Sequence, residues 1–241
     1  MPVPPETPGR AGGSVRWVLL PGMHGSAELF QPLLSIVPMV LKPLVICYPL
    51  QEKLSYRQLE EFVVERLPDE PFILVAESFS GPIAIRIAER APANLRALIL
   101  CATFVQFPAG MLARLLAATI GPFIFNLRPP GWIARRYLLG NASPELEQLF
   151  SSTISDCSAA VMASRLRSIV EVDAREALSR VKTPILILTG TRDRLVKGHN
   201  AEKMKRLNEA VVLGSVDAPH LLLQTRPREA FEWIQRFLLH A

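Results

Sequence analysis

Short apolar runs recur along the chain, spaced so that a helix fits between most of them. Residues 15–20 (VRWVLL), 44–48 (LVICY), 72–77 (FILVAE), 95–103 (LRALILCAT), 184–189 (PILILT) and 210–216 (AVVLGSV) each read as a strand. Pro21-Gly22 stops the first and Pro49 the second. Helical spacing appears over 29–37, 55–67 with Ser55 as N-cap, 79–90, 201–207, and 227–239 with proline in its first turn. Strands that are apolar on both faces are covered on both sides, and strands separated by helices pair in parallel. Right-handed crossovers then give a doubly wound, mostly parallel α/β sheet of about six strands, with functional residues at the strands' carboxyl ends.

Residues 104–182 break this rhythm. They predict helices over 111–120, 131–139, 144–154 and 158–170, with Pro122, Pro129, Pro130 and Pro144 at the joints. Lying between two strands of one sheet, they read as a helical cap insertion. The expected organisation is a Pro- and Gly-rich flexible arm at 1–14, an α/β core over 15–103 and 183–241, and the cap over 104–182.

Composition narrows the function. At 241 residues, with 49% hydrophobic and 20% charged, the chain suits one globular domain carrying an insertion. The net charge is +5, but acidic residues are interspersed and no basic stripe with interleaved aromatics appears, which argues against a nucleic-acid partner. No apolar run reaches the roughly 18–20 residues that span a bilayer, so no transmembrane segment is expected. Residues 1–14 lack a signal-peptide pattern. Three cysteines, Cys47, Cys101 and Cys157, give no disulfide framework. These features predict a cytoplasmic protein, with no metal and no cofactor.

The chemistry lies at four loops. Ala76-Glu77-Ser78-Phe79-Ser80-Gly81 joins a strand to a helix, as a nucleophile elbow does, with small residues two places either side of Ser78. Taken alone, the hexapeptide reads equally well as a helix cap. Pro21-Gly22-Met23-His24-Gly25 follows the first strand, where a Gly-rich turn lets backbone amides face a site. The amides of Met23 and Phe79 are the candidate oxyanion donors. Asp193 follows the fifth strand, and His220 follows the sixth. Of the four histidines, only His220 occupies that loop. Ser78, Asp193 and His220, each in a strand-end loop and in that order, point to a Ser-His-Asp triad.

With these segments LLPGMHGS, VAESFSG, GTRDRLV and DAPHLLL, the chain resembles the α/β-hydrolase superfamily, most closely small bacterial serine carboxylesterases with a helical cap. The resemblance runs from about Val15 to the C-terminus. It implies that Ser78, Asp193 and His220 are the triad and that Met23 and Phe79 hold the oxyanion. It departs from the pattern where many members have His-Gly and this chain has Pro21-Gly22, and at Ala76 and Ser80, which replace the motif's glycines. The expected substrate is a small hydrophobic ester, received by an apolar cap that includes Leu115, Leu116, Ile120, Phe123, Ile124, Phe125, Trp132 and Ile133. Thioesterase and acyltransferase chemistry stay open at this stage. So do an ester on an acidic carrier, docked by Arg128, Arg135, Arg136, Arg165 and Arg167, and a non-catalytic binding module. Oligomeric state is not legible.

Overall fold

The computed structural model describes residues 15–123 and 135–240. Six parallel strands form one sheet in the order β2-β1-β3-β4-β5-β6: β1 Arg16–Leu20, β2 Leu44–Val45, β3 Phe72–Glu77, β4 Leu95–Cys101, β5 Ile185–Gly190 and β6 Val211–Val216. The doubly wound sheet expected from the apolar runs is present. Side chains alternate between two buried layers, because successive residues of a strand point to opposite faces. On β1, Val18 and Leu20 enter one core and Trp17 and Leu19 the other.

Helices α2 (Tyr56–Val64), α3 (Gly81–Glu89), α7 (Arg175–Arg180) and α8 (His199–Leu207) cover the first face, through residues such as Leu59, Ile83, Leu178 and Met204. Helices α1 (Gln31–Leu34), α9 (Leu222–Thr225) and α10 (Pro227–Leu238) cover the second, through Leu33, Leu223 and Ile234. Ser55 caps α2 in a reciprocal box with Gln58, as its position before the helix predicts.

Two local expectations are corrected. The strand over 44–48 pairs only at Leu44–Val45, because the Tyr48 amide turns away to donate to the Gly25 carbonyl at 2.7 Å. The helix over 29–37 is instead a 3-10 turn at Glu28–Phe30 running into α1, with Pro32 near its start. Helices α7, of six residues, and α9, of four, are too short to carry an apolar period that the sequence would display.

Between β4 and β5 the described chain forms α4 (Met111–Ala118), a π-helical turn at Arg135–Leu139, α5 (Pro144–Asp156) and α6 (Ala159–Glu171) before α7. Two backbone contacts tie this interval to loops outside it: the Ser158 amide donates to Leu50 O at 3.1 Å and Leu221 N to Leu138 O at 3.1 Å, while Ala174 N to Val105 O at 2.7 Å joins its two ends. The expected arm at 1–14 lies outside the described residues. So do Ile124, Phe125, Arg128, Trp132 and Ile133, and the start of the helix expected over 131–139.

Candidate active site

The strand order reverses beside β1: the chain steps from β1 out to β2, then returns to β3 on the other flank. Such a switch point opens a crevice at the carboxyl ends of the strands. Ser78 follows β3 there with φ of +49°, a left-handed conformation costly for a non-glycine residue. Neighbouring groups enforce it. Thr103 Oγ1 donates to the Ser78 carbonyl at 2.5 Å. A Cβ on Gly81 would lie 1.9 Å from that same Thr103 oxygen, so only glycine fits.

Sequence asked only that residue 80 be small. Its hydroxyl also acts, because Ser80 Oγ donates to the Pro21 carbonyl and accepts from Tyr48 OH at 2.5 Å. The elbow is thus tied to the loop after β1. Phe79 is fully buried between Tyr48 and Tyr56; Tyr56 stacks on it at 4.7 Å and donates to its carbonyl at 2.9 Å. These contacts fix the Phe79 backbone.

His220 is buried, with Nε2 2.9 Å from Ser78 Oγ and Nδ1 2.7 Å from Asp193 Oδ2. The other Asp193 oxygen accepts from the amides of Leu195 at 2.8 Å and Val196 at 2.9 Å. An ionised carboxylate only accepts, so Nδ1 carries the proton and Nε2 faces the serine hydroxyl as acceptor. The loops carrying Asp193 and His220 are laced together by Thr191 N to Val216 O at 2.9 Å and Arg192 N to Ala218 O at 3.0 Å. A Cβ on Gly190 would stand 2.5 Å from the carbonyls of Ala218 and Pro219, so glycine is what lets the loops meet.

Gly22 to Gly25 forms a turn closed by Gly25 N to Gly22 O at 3.0 Å, with Met23 and His24 at its centre. Among the described residues the Met23 amide has no partner. All five residues singled out from sequence therefore lie on neighbouring loops at one edge of the sheet.

Two buried groups beside them were missed. His24 is buried, and its Nδ1 accepts from the Ser26 amide at 3.2 Å, while Nε2 has no partner among the described residues. Burial, reinforced by the charge of Arg165, lowers its pKa to about 4. Glu77 is buried with neither oxygen partnered among the described residues. Burial pushes its pKa up, and the nearby His220 opposes this only in part. Its position directly before Ser78 was visible in the sequence, but its burial was not.

His24 leads to a stability prediction. Unfolded, it protonates near its ordinary 6.5; folded, only near 4. Between those values the unfolded chain binds the extra proton, so its contribution is complete above about pH 6.5 and is lost as pH falls through about 4. The loss is on the order of 3 kcal/mol. Glu77 acts in the opposite sense, its contribution falling as pH rises. His24→Asn should flatten the acid limb of stability against pH, measured by urea unfolding; an unchanged slope contradicts the assignment.

The family model described as serine aminopeptidase, S33, matches residues 55–212. The chain belongs to this family and is an α/β-hydrolase. Solved structures share the hydrolase's fold across nearly its whole length. A bromoperoxidase from Bacillus anthracis is 14% identical with a TM-score of 0.78, covering 95% of this chain and 93% of its own. A thermophilic esterase from Thermogutta terrifontis is 18% identical with a TM-score of 0.77, covering 95% and 91%. An enol-lactonase from Burkholderia xenovorans is 18% identical with a TM-score of 0.72, covering 96% and 94%. No curated protein matches the hydrolase. No helix among its described residues is long and apolar enough to cross a membrane.

Proposed function

We propose that this hydrolase is a serine carboxylesterase, and the observation that carries the reading is the relay Ser78 Oγ–His220 Nε2 (2.9 Å) and His220 Nδ1–Asp193 Oδ2 (2.7 Å). His220 takes the hydroxyl proton as Ser78 Oγ bonds to the ester carbonyl carbon. The amides of Met23 and Phe79 hold the resulting oxyanion. As the carbonyl re-forms, the C–O bond to the alcohol breaks and His220 returns the proton to it, leaving an acyl-serine. Water, deprotonated by His220, attacks that acyl group. Ser78 recovers its proton, and the carboxylic acid leaves.

Residues 104–182 serve as the cap in this reading. The exposed side chains of Met111, Leu112, Leu115, Leu116 and Phe123 support a hydrophobic acyl or alcohol group. An acidic carrier is less well supported. Arg135 is paired with Glu147 at 2.6 Å, and Arg165, weighed from sequence as a docking residue, is buried. A cytoplasmic setting accompanies the proposal, supported by the free thiols of Cys47, Cys101 and Cys157.

Turnover of matched p-nitrophenyl esters, thioesters and aminoacyl p-nitroanilides tests the substrate class. Esters should give the highest kcat/KM, rising from acetyl to medium acyl chains. A preference for the thioester or the anilide would replace the esterase assignment.

A further inference from the structure

Arg165 is a buried cation with no ion-pair partner among the described residues. Burying a guanidinium without a carboxylate is costly, so its environment must supply compensation. Its Nη1 donates to the Met23 carbonyl at 2.7 Å and its Nη2 to the Pro49 carbonyl at 2.9 Å. Nη1 also lies 3.7 Å from Cys157 Sγ, and the guanidinium carbon lies 5.6 Å from the centre of the Tyr48 ring. Tyr48 OH in turn holds Ser80, which holds the Pro21 carbonyl. Gly25 completes the fit: it sits at φ of +85°, and a Cβ there would stand 2.5 Å from Arg165 Nη1.

We propose that Arg165 is a positioning residue for the oxyanion loop, reaching from α6 to fix the Met23 backbone and adding positive charge beside it. The inference rests on the reading of Ser78 as nucleophile and Met23 as oxyanion donor. The carbonyl that Arg165 binds and the amide that faces the oxyanion flank the same Cα. Anchoring one restricts the other. The charge sits against this backbone, with Nη1 2.7 Å from the Met23 carbonyl, in a buried setting where water screens it little, and it favours the negative charge that develops in the transition state. Both effects act more on the transition state than on bound ester, so they belong in kcat rather than KM.

The test compares Arg165→Met and Arg165→Lys with the parent on p-nitrophenyl acetate, with folding followed by urea unfolding. Arg165→Met should lose roughly 10- to 100-fold in kcat at nearly constant KM, less than the full loss of an oxyanion donor. Arg165→Lys keeps the charge and one carbonyl bond, and should recover part of that loss. A folded Arg165→Met protein with parental kcat, or a loss confined to KM, overturns the proposal. Should Arg165→Met not fold, Arg165→Lys decides by the same comparison. If neither folds, the residue's part is structural and the proposal falls. Ser78→Ala is assayed alongside: full turnover there faults the nucleophile reading itself, whereas an inactive Ser78→Ala beside unaffected Arg165 variants faults only the present inference.

Discussion

Ser78→Ala should lower p-nitrophenyl ester turnover by about 10⁴-fold or more while moving the melting temperature by only a few degrees. The substitution removes one oxygen from a half-buried side chain. The backbone contacts that hold the elbow survive it, because Thr103 binds the Ser78 carbonyl and not its hydroxyl. The left-handed φ of +49° is as demanding for alanine as for serine, so little strain is gained or relieved. What is lost is the atom that forms the acyl bond. Initial rates on p-nitrophenyl acetate, measured beside urea unfolding, check both halves. Retention of more than about a tenth of parental kcat would contradict the nucleophile assignment.

Asp193→Asn should cost a similar factor, about 10⁴ in kcat, by a different route. The side-chain oxygen that accepts from Leu195 and Val196 can remain in place. The amide nitrogen then faces His220 Nδ1, where an acceptor stood before. Two donors cannot share that contact, so the imidazole proton moves to Nε2 and points at the Ser78 hydroxyl. The base is then unable to take the serine proton. KM should change little, because the carboxylate does not contact the ester. Kinetics on the same substrate decide it: kcat within about tenfold of the parent would mean that Asp193 does not set the histidine tautomer.

The sheet was legible because both its faces are buried. Runs such as FILVAE and PILILT carry no polar alternation, and each became a strand with side chains in two cores. The positions of Ser78, Asp193 and His220 were legible for the same reason, since strand ends can be read from where apolar runs stop. What failed to show was whatever depends on contacts distant in sequence. Tyr48 leaves its strand for Gly25 and Ser80, so β2 is shorter than its apolar run. Arg165 reaches across 142 residues to Met23. One local hint was present: Arg165 stands three and four places after Met162 and Val161, on the buried stripe of α6, where a solvated arginine would not fall. Ser80 looked like a tolerated replacement for glycine, yet its hydroxyl ties the elbow to the Pro21 carbonyl.

The most direct test is the mass of the intact protein after brief exposure to a fluorophosphonate. Phosphonylation transfers the phosphorus group to an activated serine oxygen and releases fluoride. It therefore needs the same nucleophile and base as ester cleavage. A single adduct that maps to the peptide containing Ser78, absent in Ser78→Ala and strongly slowed in Asp193→Asn, is the result expected. An unlabelled parent protein, or an adduct on another residue, would contradict the assignment of Ser78 as the nucleophile.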